Sequence, residues 1–338
     1  MEFKKYNSIE NTYQEKVLEQ IFIHGFEKET FIVEEKVHGA NFSFYTDGEM
    51  IKIAKRSDFI LPDEVFYNAQ SVAEKHFNKV FKAFEMVKGK FPETKFIIIL
   101  GELFGGNYNH PEVTRVKDAI KVQKGIDYGP ENDFYAFDIK INGTDYLDVE
   151  TANEIFEKNG FFFAKPLFKG SLEEALKFPN EFNSLIPEWL GLPALEKNIC
   201  EGVIIKPLNP KFFGNGSRVI LKNKNEKWTE VQKADKSNTK PELNFSEEGQ
   251  LVWNTVESYI TLNRLYNVLS KEGEFDPKKT GKVIGLFSLD VLTDFKKDHP
   301  MLLESLEKEE QKLINKKLNN KVITMIKEEF MTFKNVTV

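Results

Sequence analysis

The stretch Glu35-Lys36-Val37-His38-Gly39-Ala40-Asn41 sets a primary amine, an imidazole and a carboxamide close together. A lysine in such company is a nucleophile once its amine sheds a proton, and Gly39 lets the backbone come close to a ligand. Taken alone, a Lys-x-His-Gly turn is more often a surface lysine. What lies further along the chain alters that balance. Glu102 ends the apolar run Phe96-Ile97-Ile98-Ile99-Leu100-Gly101, and Asp138 interrupts Phe134-Tyr135-Ala136-Phe137 before Ile139. Glu201 and Lys206 bracket Gly202-Val203-Ile204-Ile205, while Arg218, Lys222 and Lys224 punctuate Val219-Ile220-Leu221 and its continuation. A buried charge is costly unless it is paired or bound to a metal or ligand. Strands that each tolerate a charge are therefore expected to converge on one charged site.

The elements that must position these groups are legible in outline. Phe31-Ile32-Val33 reads as a strand before Lys36 and Phe42-Ser43-Phe44-Tyr45 as one after it, so the lysine sits where one strand ends and the next begins. Ile51-Lys52-Ile53-Ala54-Lys55-Arg56 alternates like a third, ending on two cations. In a strand running from Arg218 to Lys224, Lys222 and Lys224 share one face. Helices are expected from Tyr13 to Phe22, from Leu61-Pro62-Asp63-Glu64 through Phe66, Ala69, Ala73, Phe77, Val80, Phe81, Phe84 and Val87, and from about Thr151 to Asn159-Gly160. Asn142-Gly143 is a hairpin turn, and Ser171-Leu172-Glu173-Glu174 is a capping box.

The chain of 338 residues is long enough for two cores, and its 47 Lys+Arg against 53 Asp+Glu argue against a surface coated in positive charge. Residues 206–240 depart from that balance, with nine basic residues against three acids, as a segment facing phosphates would. One cysteine, Cys200, excludes a disulfide framework within the chain and a cysteine-built zinc site. No apolar stretch approaches the roughly 20 residues of a membrane span, and Met1-Glu2-Phe3-Lys4-Lys5 lacks a signal-peptide core, so a soluble, cytoplasmic protein with no membrane partner is expected. Asp235-Lys236-Ser237-Asn238-Thr239-Lys240-Pro241-Glu242 is polar and aperiodic, a linker. Beyond it, Val252, Val256, Tyr259, Leu262, Leu265 and Leu269 mark one helix ending near Gly273, a second starts near Ser288, and a third runs from Pro300 through Leu318 and Met325. The expected division is a first domain over 1–234, a linker over 235–245 and a small all-α domain over 246–338. Thr280-Gly281-Lys282 imitates the tail of a phosphate loop without its earlier glycine, and neither HExxH nor GxSxG occurs, which removes support for P-loop, metalloprotease and serine hydrolase chemistry.

In order and spacing, the Lys36 motif, Gly101-Glu102, Phe134 to Asp138, Glu201 to Lys206 and Lys222-Asn223-Lys224 resemble the nucleotidyltransferase motifs of polynucleotide ligases and capping enzymes. Asn11-Thr12-Tyr13, Ala54-Lys55-Arg56, Tyr259 to Arg264 and Gly281 to Leu286 narrow the likeness to the phage RNA ligase 2 type, which includes the trypanosome RNA-editing ligases. The resemblance implies an α+β nucleotidyltransferase domain of the ATP-grasp-like ligase kind, built on antiparallel sheets with flanking helices, then the helical domain. It implies an ATP-dependent RNA ligase, a monomer acting on nicked duplexes or RNA ends in RNA repair, with viral or phage origin as the expectation it raises. Lys36 would take AMP from ATP, with Lys222 and Lys224 on the α-phosphate, Glu102 on the ribose, Arg56 nearby, Phe137 and Ile204 on the two faces of adenine, and the Glu35 backbone at its edge. Glu201 would bind Mg²⁺ or Mn²⁺. Asn41, near the nucleotide, and Asp138 would serve the RNA-bound steps, with His38, Phe66 and Arg264 also toward RNA. Ala40 stands where relatives often carry threonine, at the expected 3′-OH end. A DNA ligase or capping guanylyltransferase would share the lysine chemistry but would usually append an oligonucleotide-binding barrel. A non-catalytic RNA-binding protein would leave Lys36, Glu102 and Glu201 without a reason to converge.

Overall fold

The computed structural model describes residues 1–228, 245–273 and 275–331. The chain divides into two compact units, Met1–Trp228 and Thr229–Val338. Lys233, Lys236 and Lys240 of the basic segment, and nearly all of the expected linker, lie outside the described residues.

In the first unit the order is β1 (Glu10–Asn11), α1 (Glu15–Ile23), β2 (Phe31–Glu35), β3 (Ala40–Thr46), β4 (Ile51–Lys55), α2 (Ala69–Lys90), β5 (Ile97–Asn107), β6 (Gly129–Ile141), β7 (Asp145–Tyr146) and α3 (Val149–Lys158). It continues with β8 (Phe162–Phe163), β9 (Pro166–Gly170), α4 (Leu172–Leu176), α5 (Ile186–Trp189), β10 (Gly202–Pro207) and β11 (Leu221–Lys224). One sheet has the order β1-β11-β10-β2-β9 and the other β4-β3-β5-β6-β7, with β8 on β6. Neighbours run antiparallel except β1 with β11 and β6 with β8. This is the α+β architecture expected from the sequence.

Strand alternation decides what each sheet buries. In the first sheet, Phe31, Val33, Val203, Ile205 and Leu221 turn one way, into a core shared with Ile21 of α1 and with Leu172 and Ala175 of α4. The intervening residues must face the other way. In the second sheet, Phe42, Phe44, Ile97, Ile99, Phe134 and Ala136 pack on Val72, Val80 and Phe84 of α2 and on Ile155 and Phe156 of α3. The two remaining faces meet, since Ile204 of one sheet packs with Tyr45, Ile98 and Leu100 of the other.

Several boundaries differ from the sequence reading. The helix expected from Leu61 begins at Ala69, because Tyr67 takes a left-handed φ of 46° that no helix accommodates. The strand expected from Arg218 begins at Leu221, leaving Arg218 in an isolated bridge with Phe212. The Ser171 capping box forms as expected, and Asn142-Gly143 makes the β6–β7 turn with φ of 52° and 78°.

The second unit is helical: α6 (Glu247–Ser258), α7 (Leu262–Glu272), α8 (Thr280–Asp298) and α9 (Lys308–Met331). Val252, Val256, Leu265, Phe287, Val291, Leu318 and Val322 belong to its own core. The helix read as continuous over 252–269 is two, broken where the Thr261 side chain accepts from Arg264 N. The expected third helix starts at Lys308 rather than Pro300, after Met301 at φ 68°. Among the described residues no helix is long and apolar enough to cross a membrane.

Candidate active site

Register places the charges. Val203 pairs with Glu35 and Ile204 with Glu34 across β10 and β2, while Gly202 pairs with Lys224 and Ile204 with Lys222 across β10 and β11. Opposed residues share a face, so Glu34, Ile204, Lys206, Lys222 and Lys224 all look away from the α1 and α4 core. Lys36 follows directly, its N–H donating to Gly202 O at 3.0 Å. On the second sheet, Asn41 opposes Glu102 and Glu102 opposes Tyr135, on the face away from α2.

Between the sheets, Glu201 is the hub. Its Oε2 lies 2.6 Å from Lys36 Nζ and 3.3 Å from His38 Nδ1, and its Oε1 lies 2.7 Å from Lys224 Nζ. Burial would raise its pKa, but Lys224, Lys36 and His38 outweigh burial and hold the carboxyl well below its ordinary range. Burial lowers the pKa of His38, an effect that Glu201 only partly offsets. The imidazole leans on Trp228 at 4.6 Å between ring centroids, and His38 N donates to the Tyr128 hydroxyl at 2.7 Å.

Glu102 stands across from this cluster. Its Oε2 is buried without a hydrogen-bond partner, and burial pushes the carboxyl up to about 7 against the pull of Lys36. A buried acceptor with nothing to accept is free to take a hydrogen bond from a ligand hydroxyl. Arg56, just past β4, counts Glu102 among its charged neighbours. Phe137 and Ile204, both half-buried, pack against one cluster and leave apolar surface beside the charges. The Glu35 side chain turns away, accepting from Ser184 Oγ at 2.5 Å and Leu185 N at 2.9 Å, and burial pushes it up to about 7.

The structure thus gathers Lys36, His38, Asn41, Glu102, Phe137, Glu201, Ile204, Lys222 and Lys224, while four other expected residues are committed to contacts within their own units. Ala40 is fully buried on the core face of β3 and presents nothing to a ligand. Phe66 is 1% exposed in the same core, so its helix-like spacing marked packing. Arg264, 0% exposed, donates to Tyr259 O at 3.1 Å and to Asp294 Oδ2 at 2.8 Å, pinning α7 to α8 where a phosphate contact was expected. Asp138 is held by Arg218 at 2.6 and 3.0 Å, Tyr6 at 2.8 Å and Lys206 at 3.3 Å. Burial would raise its pKa, but Arg218 and Lys206 prevail and hold it down to about 2. Sequence reasoning missed Tyr128, Ser184 and Trp228 as supports, and alternation within a strand carries no signal for such distant partners.

Glu201 is a single carboxylate, and no group of three or more His, Cys, Asp or Glu that could hold a metal occurs among the described residues. One carboxylate supplemented by substrate phosphates and water suits Mg²⁺ and not a closed protein cage.

Residues 29–224 match the RNA ligase family, and residues 241–324 match the family described as T4 RNA ligase 2 C-terminal. Among curated proteins, RNA-editing ligase 2, mitochondrial, of Trypanosoma brucei brucei is 28% identical over 348 residues, spanning 88% of this chain and 83% of that protein. RNA-editing ligase 1, mitochondrial, of the same organism is 26% identical over 342 residues, spanning 81% and 71%. Among solved structures, a mutant of Naegleria gruberi RNA ligase with ATP and Mn is 15% identical at a TM-score of 0.43, the match covering 67% of this chain and 57% of that one. With more than half of its length matched to the first family and most of its helical unit to the second, the chain belongs to the RNA ligase family, in its T4 RNA ligase 2 branch.

Proposed function

We propose that the enzyme is an ATP-dependent ligase that joins RNA 3′-OH and 5′-phosphate ends, preferentially at nicks in duplexes, in RNA repair. The observation that carries this reading is the convergence of Lys36, Lys224 and Glu201 within 2.7 Å contacts, opposite the unpartnered Oε2 of Glu102. Lys36 Nζ, once deprotonated, attacks the α-phosphorus of ATP; the N–P bond forms as the bond to pyrophosphate breaks. Lys222 and Lys224 stabilise charge that builds on the α-phosphate. Glu102 accepts from the ribose, Arg56 lies toward the nucleotide or the RNA end, and Phe137 and Ile204 flank adenine, with the Glu35 backbone at its edge. AMP then passes to an RNA 5′-phosphate and is expelled by the 3′-OH, steps to which Asn41 and His38 contribute. Mg²⁺ or Mn²⁺, held by Glu201 with phosphate oxygens, would supply Lewis-acid charge neutralisation.

We assign adenylylation to 1–234 and RNA engagement to 246–338, across the linker 235–245. The test is a nicked RNA duplex with 3′-OH and 5′-phosphate ends, supplied with ATP and Mg²⁺. Sealing of the nick faster than joining of free ends, with one AMP released per join, is expected; preference for DNA nicks would overturn the RNA assignment.

A further inference from the structure

We propose that Lys206 is a positioning residue for adenylylation: it holds the backbone at Phe137 in place relative to the strand that ends at Lys36. This rests on the reading that Phe137 stacks on adenine. Leu100 pairs with Asp138 and Gly101 with Ala136, so Phe137 is the extra residue of a β-bulge and has no partner across β5. A bulge re-aims its side chain at the expense of the ladder. The carbonyl at the bulge is taken instead by Lys206 Nζ, at 3.1 Å. The same ammonium lies 2.9 Å from Glu34 Oε2 and 3.3 Å from Asp138 Oδ1, and Lys206 is 1% exposed. Glu34 stands two residues before Lys36 on β2, and Lys206 lies on β10, the neighbour of β2. One side chain therefore links the aromatic platform of the second sheet to the nucleophile's strand in the first.

Two facts separate this role from fold maintenance. Asp138 keeps both Arg218 contacts, at 2.6 and 3.0 Å, without Lys206. Removing Lys206 and the charge of Glu34 together leaves no lone buried charge, and such paired replacements are commonly neutral for stability. The bond to Phe137 O is then the element lost.

The experiment compares Glu34→Gln/Lys206→Met with Glu34→Gln/Lys206→Gln, which keeps a neutral donor, by melting and by single-turnover lysyl-AMP formation across ATP concentrations. The methionine variant should melt near wild type and raise the half-saturating ATP concentration about tenfold or more, with the rate at saturation within about threefold. The glutamine variant should recover most of that affinity. Equal ATP dependence in the two variants, or wild-type dependence in the methionine variant, would overturn the proposal. If the methionine variant does not fold, the glutamine variant decides: wild-type ATP dependence supports the role, and a tenfold loss in a folded protein overturns it. Phe137→Ala run alongside separates the two readings. If it leaves ATP dependence unchanged, the stacking assignment fails and the positioning role with it; if it raises ATP demand while both Lys206 variants behave as wild type, only the positioning role fails.

Discussion

With one oxygen on Lys36 and the other on Lys224, Glu201 compensates two ammonium groups while its own side chain is 1% exposed. Glu201→Gln keeps the shape and removes the charge, so both lysines lose the carboxylate they share. Breaking one side of a buried ion cluster costs about 3 kcal/mol or more, and the variant is expected to melt lower. Its lysyl-AMP formation should fall by at least about 100-fold, the scale seen when one electrostatic contact to a transition state is removed. Quantitative labelling with α-labelled ATP checks this; labelling within threefold of wild type would contradict the role given to Glu201. The convergence of these charges was legible because acids and lysines inside apolar strands are conspicuous. Ala40, Phe66 and Arg264 misled because a motif position does not say which way a side chain turns, and each is buried in a core. Tyr128 and Ser184 were hidden because their partners lie 90 and 149 residues away.

Strand register is what brings those charges to one face, and in β10 it is constrained at Gly202. Gly202 has a φ of 137°, and a Cβ there would lie 2.1 Å from Asn223 O and 2.8 Å from Lys224 Cα. Gly202→Ala must therefore displace β11, the strand that carries Lys222 and Lys224. A stability loss of about 2–4 kcal/mol is expected, from backbone strain and steric overlap together. Adenylylation should fall further than the loss of folded protein explains, as measured by labelling below the melting temperature. Undiminished labelling would show that β11 tolerates the shift. At this scale β2 to β6, β10, β11 and the long helices were readable from periodicity, whereas β1, β8 and β9 and the starts and breaks were not. Tyr67, Met301 and the Thr261 cap set those ends through single backbone angles and one side-chain bond, which apolar spacing does not encode.

Across the whole molecule, buried carboxyls make stability depend on pH in two directions. Burial pushes Glu34, Glu35 and Glu102 each up to about 7, so the folded chain takes up these protons more readily than the unfolded chain. Their contribution is full below the ordinary carboxylate range and is lost as pH rises through 7. Asp138, held to about 2, and Glu201, held well below its usual range, contribute above the ordinary carboxylate range and lose that contribution as pH falls through their depressed values. The melting temperature should therefore rise by about 5 °C from pH 8 to about pH 5.5 and drop again in stronger acid. A melting temperature that falls steadily from pH 8 to 5.5 would contradict these assignments. Strand patterning is lost after the basic segment, and the chain divides into two units each with its own core, whose packing rests on contacts far apart in sequence. The central claim, that Lys36 forms a covalent bond to AMP, is tested most directly by incubating nucleotide-free protein with α-labelled ATP and Mg²⁺, then denaturing it, with Lys36→Ala in parallel. Label retained on the wild-type polypeptide and absent from the variant is the predicted result; label on both, or on neither when both are folded, would contradict it.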